Sequence, residues 1–165
     1  MLNIVLVEPE IPANTGNIAR TCAATGVKLH LIKPLGFSLE DKYLKRAGLD
    51  YWEDVNLTLY ENLQELFEKV DSGIFYYATT KAKLTYADIQ YKEDENIFFV
   101  FGKETAGLPE DLLVQNKGTC IRIPMKEKMR SLNLSNSVAI VVYEALRQNS
   151  FTDLLREGKL ATRIW

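Results

Sequence analysis

The chain has 165 residues, with 20 basic and 22 acidic side chains, a net charge of −2 and 47% hydrophobic content; a chain of this length buries roughly 70% of its unfolded surface, so one domain over 1–165 with a real core is expected. The near-neutral balance argues against a protein that coats nucleic acid through bulk positive charge, while leaving room for a local basic patch. No apolar run approaches the ~20 residues of a membrane span, and Cys22 and Cys120, without a CxxC pair, suggest neither a zinc site nor a disulfide framework.

In chain order, apolar runs of strand length alternate with helical patterns. The opening MLNIVLVEPE lacks the basic flank and small-residue cleavage site of a signal peptide. Its run Leu2–Val7 reads as a buried strand, and the cytoplasm is the expected compartment. The polar loop EPEIPANTGN leads into a small-residue helix, Thr15–Thr25, stopped by Gly26. Val27–Ile32 returns as a strand, and KPLGF makes a loop. Ser38 is placed to cap a short helix, SLEDKYLKRAG, with Asp41 three residues on and Gly48 past its end. Val55–Leu59 suits a short strand, and the helix Glu61–Val70 puts Leu63, Leu66, Phe67 and Val70 on one face. The apolar runs Gly73–Ala78 and Asn96–Phe101 flank Thr79–Glu95, the least patterned stretch, where a mobile loop is expected. Thr119–Ile123 is a strand ended by Pro124. Val138–Gln148 is the last long helix, with Asn136 as its cap.

Strands apolar on both faces and separated by helices imply a mainly parallel sheet covered on both sides, an open α/β fold. In such folds ligands sit beyond the carboxyl ends of the strands. Three loops that follow strands are rich in Gly, Asn, Ser and charge: Glu8–Asn17, Gly102–Pro109 and Pro124–Ser137. They are expected to converge on one edge of the sheet and form the site.

The residue types in these loops limit the chemistry. Asn14, Asn17 and Arg20 are three apart and share a broad helical face, suited to a phosphate or a developing oxyanion; equally, Asn14 could be an N-cap and Arg20 a surface residue. Gly102, directly after a strand, permits close approach of a ligand to the backbone. Glu104 could hold a hydroxyl or an arginine, or be a salt-bridged loop carboxylate. Neither GxGxxG nor GxxxxGK[ST] occurs, so dinucleotide and P-loop fingerprints are absent. The single histidine, His30, lies in the strand-like VKLHLI and reads as structural, which removes the base of a Ser-His-Asp or Cys-His hydrolase. No metal-ligand cluster is evident. Group transfer with an organic cofactor remains, or binding without chemistry. Two basic runs could meet an anion: Lys42, Lys45 and Arg46, then Lys126, Lys128 and Arg130.

The same loops carry a resemblance. NTGNIAR, FGKETAGLP and IPMKEKMRSLNLSNSVAIVVYEALRQ resemble the three signature motifs of the SPOUT-class RNA 2′-O-methyltransferases, which depend on S-adenosylmethionine. The longer context, with EPEIPANTGN, LIKPLGF, DKYLKRAGLDYW and TTK, is similar to the small TrmL-type tRNA methyltransferases over roughly Leu2 to Gln148. The resemblance implies a Rossmann-like SPOUT fold with a C-terminal trefoil knot, and a homodimer. It implies methylation of the ribose of nucleotide 34, cytidine or uridine, in the anticodon stem-loop of leucine tRNAs.

By motif position the resemblance assigns Arg20 to the reacting ribose, with Asn14, Glu104, Ser131 and Asn133 completing the catalytic set. It places the cofactor against Ala78, Gly102, Ile123, Met125 and Ser131. Tyr143, beside Arg20, Lys126, Lys128 and Arg130, falls on the dimer and RNA side. A guanidinium normally stays protonated and makes a poor base, so Arg20 is expected to stabilise negative charge on the ribose oxygen or to hold the adjacent phosphate. Neither a metal nor a membrane is implied. The tail after Asn149 matches less clearly.

Overall fold

The computed structural model describes residues 1–39 and 54–162. Among these, seven strands form one sheet in the order β3-β2-β1-β6-β4-β7-β5, and every pairing is parallel. The strands are β1 (Leu2–Val7), β2 (Lys28–Ile32), β3 (Leu57–Tyr60), β4 (Ile74–Ala78), β5 (Leu84–Thr85), β6 (Ile97–Phe101) and β7 (Cys120–Arg122). The helices are α1 (Pro12–Thr25), α2 (Leu63–Lys69), α3 (Glu110–Gln115) and α4 (Leu134–Gln148), with 3-10 turns at Tyr86–Asp88 and Lys117–Thr119.

The apolar strand runs are explained by burial on both faces. Side chains alternate across a strand, so Ile4 and Leu6 enter one core with α1 and α4, while Val5 and Val7 enter the other with α2 and α3. Ile18, Ala19 and Cys22 of α1 and Val138, Val141, Val142 and Ala145 of α4 are all sealed against the first face. The chain moves outward from β1 to β3, then crosses back so that β6 lies between β1 and β4. The loops after β1 and β6 diverge at this switch point, where a parallel sheet opens a crevice.

Several boundaries differ from expectation, each for a local reason. α1 starts at Pro12, three residues early, because proline at N1 lacks only an N–H that the helix would leave unpaired. It ends at Gly26, whose φ of 71° suits glycine. α4 starts at Leu134 and is capped by Asn133, whose Oδ1 accepts from the N–H groups of Ser135 and Asn136; Asn136 is inside the helix and is not the cap. Thr79–Glu95 is packed rather than loose. Tyr91 is buried edge-on against Tyr76 and Phe99, and Gln148 and Asn149 at the end of α4 bond to the backbone of Ile89 and Tyr91. The expected helix SLEDKYLKRAG, and with it Lys42, Lys45 and Arg46, lies outside the described residues. Among the described residues no helix is long and apolar enough to cross a membrane.

Candidate active site

A cavity of about 550 Å³ opens at the carboxyl ends of β4, β6 and β7. All three polar loops contribute to it: Ile11 and Asn14 from the first, residues 102 to 108 from the second, and Met125 with residues 130 to 134 from the third. The expected convergence on one sheet edge is therefore observed.

A single hydrogen-bond line joins the loops. The α1 N-cap position is Ile11, which has no side chain able to cap. Glu104, from the loop after β6, instead takes up the backbone donors just before the helix. Its Oε2 accepts from the Glu10 N–H at 2.8 Å, and its Oε1 accepts from the Ile11 N–H at 3.2 Å and from Asn14 Nδ2 at 3.0 Å. A carboxylate here also complements the positive end of the helix dipole. Asn14, buried at the third position of the helix, then accepts at its Oδ1 from Asn133 Nδ2 at 2.9 Å. Asn133 Oδ1 in turn caps α4. Each amide orientation follows from its neighbours, since Asn133 must present oxygen to α4 and Asn14 must present nitrogen to the carboxylate.

Asn14, Glu104 and Asn133 are thus brought together, with Ser131 in the same cavity wall. With three donors on it, the Glu104 carboxylate holds protein groups and not an arginine. Asn14 is neither the N-cap nor a surface residue. Ala78, Gly102, Ile123 and Met125 line the cavity, as does Arg130. Gly102 is also required by the chain itself: a Cβ there would lie 2.1 Å from the carbonyl carbon of Gly107, so its own loop already approaches closely. Gly107, at φ 70°, closes that loop by bonding to the Lys103 carbonyl at 2.8 Å.

Arg20 is exposed further along α1 and does not line the cavity of its own chain; the same is true of Tyr143, Lys126 and Lys128. His30 is buried away from this edge. Asn3 Nδ2 donates to Asn96 Oδ1 and to the Ile97 carbonyl, which leaves Asn3 Oδ1 to accept from His30 Nε2 at 3.2 Å. His30 Nδ1 then accepts from the Tyr60 hydroxyl at 3.1 Å. Burial, with Lys28 nearby, pushes the imidazole down to about 4, so it is neutral. Burial pushes the Cys22 thiol up to about 12, which removes it as a nucleophile.

Sequence reasoning missed Thr79, Lys81, Tyr86 and Thr105, all in the cavity wall. Lys81 is paired with Glu110 at the start of α3. Thr79 donates its N–H to the Ile121 carbonyl, which fixes the turn after β4 against β7. Only TTK, as part of a longer match, pointed at the first two.

With this geometry in hand, the sequence profile described as the SpoU rRNA Methylase family matches residues 1–143. The chain belongs to this family. The SpoU-family chain is 57% identical over 99% of its length to a Listeria innocua protein, provisionally assigned as a tRNA (cytidine(34)-2′-O)-methyltransferase, of which it covers 97%. It is 51% identical over 92% of its length to the tRNA (cytidine(34)-2′-O)-methyltransferase of Methylovorus glucosotrophus, again covering 97% of that protein. A crystal structure described as giving insights into the 2-OH methylation of C/U34 on tRNA superposes with a TM-score of 0.86, at 41% identity, covering 92% of this chain and 97% of that one. The family description speaks of rRNA, whereas these near-full-length relatives are named for tRNA. The relatives are the narrower guide, because they match this chain almost end to end at more than half of its positions.

Proposed function

We propose that this protein transfers a methyl group from S-adenosylmethionine to the ribose 2′-hydroxyl of nucleotide 34, cytidine or uridine, in tRNA. The observation that carries the reading is the Glu104–Asn14–Asn133 line, built from all three motif loops at a ligand-sized cavity in a chain that matches relatives of that activity almost end to end. The cavity suits the cofactor. Its volume of about 550 Å³ lies within the ordinary range for small-molecule sites. Apolar side chains such as Ile123, Leu134 and Val141 offer a slot for a base, and the backbone at Gly102 and Ser131 offers polar groups beside it.

When bound, the cofactor supplies a methyl group already activated on a sulfonium sulfur, so the chain's own residues have to align the ribose and manage one proton. Glu104 is committed to three donors and serves as a positioning group for α1, not as the base. Asn14 and Asn133 transmit that position to α4 and leave Ser131 facing the cavity. Arg20 stabilises negative charge developing on the ribose oxygen or holds the adjacent phosphate. Its place outside the cavity of its own chain supports the homodimer that the resemblance implies, since a partner's cavity gives it a site to act in. Tyr143, 47% exposed on α4, belongs to that dimer and RNA side.

The exposed Lys126, Lys128 and Arg130 flank the cavity and meet phosphates of the anticodon stem-loop. Leucine isoacceptors are the substrates that the resemblance implies, in the cytoplasm. The trefoil knot belongs to the same proposal. It is supported by the chain after β7, which leaves the sheet between β4 and β5 and returns to pack α4 against the face that α1 covers.

Mapping 2′-O-methylation in tRNA from cells lacking the protein tests the reading. Position 34 should lose its methyl group and regain it on complementation. An unchanged position 34 with loss elsewhere, for example in rRNA, would replace the substrate. Calorimetry that found no binding of S-adenosylmethionine would remove the activity itself.

A further inference from the structure

The loop before α1 and the loop after β6 are joined twice more beside the Glu104 bonds. Glu10, whose N–H donates to Glu104, sends its own carboxylate back across the gap. It accepts from the Thr105 N–H at 3.0 Å, and from the Thr105 hydroxyl at 2.9 Å on one oxygen and 2.8 Å on the other. Residues 10 and 104–105 therefore exchange carboxylate-to-backbone bonds in both directions. This has the logic of a capping box, in which two side chains each satisfy the other's backbone donor, but between segments about 95 positions apart. Lys103 adds an ion pair to Glu8 at 2.8 Å, and Glu8 is held at φ 50°.

The opposite side of Glu10 is also closed. Gly36 donates its N–H to the Pro9 carbonyl at 2.9 Å, and a Cβ on Gly36 would lie 2.7 Å from the Glu10 Cα. Glu10 is thus clamped between two loops. Glu10 itself does not line the cavity, whereas its donor Thr105 lies on a loop that does.

We propose that Glu10 and Thr105 are positioning residues for methyl transfer, forming with Glu104 a two-way clasp that sets where the start of α1, and hence Asn14, stands relative to the cofactor cavity. The physical reason is leverage. Glu104 alone could satisfy its donors from a range of loop positions, since a carboxylate rotates about its own stem. The return bonds from Glu10 remove that freedom, because the loop carrying Glu104 cannot shift without breaking the Thr105 contacts. The Thr105 bonds also hold the Glu10 carboxyl below the usual carboxylate range, which keeps it an acceptor at working pH. A displacement of about 1 Å at a reacting group costs on the order of 100-fold in rate, so a clasp of exposed hydrogen bonds can matter far more for turnover than for folding.

This inference rests on the methyltransferase reading, and one set of assays separates the two. Wild type, Glu10→Gln, Thr105→Val and Thr105→Ser are compared for methyl transfer to tRNA, for S-adenosylmethionine affinity by calorimetry and for thermal unfolding. Glu10→Gln and Thr105→Val are expected to lose about tenfold or more in kcat, with cofactor Kd and tRNA KM within about threefold of wild type. Thr105→Ser keeps both donors and should retain turnover within about threefold. The double variant should be no slower than the worse single one, since both break the same clasp. Single variants as fast as wild type overturn the proposal, and so does a kcat loss matched by an equal loss of cofactor affinity or by unfolding at assay temperature. A wild-type protein that methylates no tRNA overturns the functional reading and this proposal with it.

Discussion

The sheet carries two polar networks of similar make-up at its opposite edges, and they do different work. At the amino edge, Asn96, Asn3, His30 and Tyr60 run in a line across neighbouring strands, with Asn3 and His30 buried and fully partnered. At the carboxyl edge, Glu104, Asn14 and Asn133 run between a loop and the ends of two helices, with the cavity beside them. The first network satisfies polar groups that a strand would otherwise strand in the core. The second fixes the relative positions of the three loops that line the cavity. Burial separates them, since Asn3 and His30 are buried whereas Glu104 is half-buried and Asn133 exposed. So does position, because the carboxyl edge is where the loops after β1, β6 and β7 meet beside the switch point.

The comparison can be broken or sharpened by experiment. The largest effect should come from acid at the amino edge. His30 has its pKa lowered to about 4 in the folded state against an unfolded value near 6.5, so its contribution is fully present above pH 6.5 and is lost as pH falls toward 4. That is worth up to about 3 kcal/mol. Urea unfolding at a series of pH values should show the loss, and His30→Gln should flatten it while leaving turnover at neutral pH unchanged. A large turnover defect would give the amino edge a role in the reaction.

Next, Glu104→Gln should reduce methyl transfer by on the order of 100-fold, about 2.7 kcal/mol. The amide cannot accept from the Glu10, Ile11 and Asn14 donors together without turning its own N–H groups onto one of them. A variant with wild-type turnover would show that the line only supports the fold. Asn133→Ala removes a helix cap and the bond to Asn14, and denaturation should register about 1 kcal/mol. The smallest energetic effect belongs to the exposed cations. Replacing Lys126 and Lys128, which lie outside the cavity lining, by alanine should raise the KM for tRNA and make the log–log salt slope of binding shallower by roughly 1 to 2. Cofactor affinity should not move, and a change in it would place these residues at the wrong part of the site.

Much of this was legible in the chain itself. Val5 and Ile4 point to opposite faces, so a continuous apolar run already implied a parallel sheet covered twice. Loop composition after β1, β6 and β7 marked the three loops that the fold brings to one cavity. Other features were not legible. Thr79–Glu95 lacks a simple period because its order comes from one aromatic, Tyr91, and from the distant Gln148 and Asn149. The start of α1 was not legible because Ile11 has no capping side chain to signal it, and the carboxylate that holds the Ile11 N–H comes from residue 104.

The layers of the fold, and the sheet edge at which the three polar loops meet, follow from the order of residues along the chain. Their periodicity and local chemistry act over a few positions, and a single chain displays both. Tertiary structure alone decided what those residues do to one another. It turned Glu104 into an acceptor for the backbone leading into α1, and Asn14 into a link between two helices. It placed Glu10 and Thr105 in reciprocal contact. A hydrogen bond formed across about 95 positions depends on how the sheet brings two strand ends together, and no local pattern records that distance.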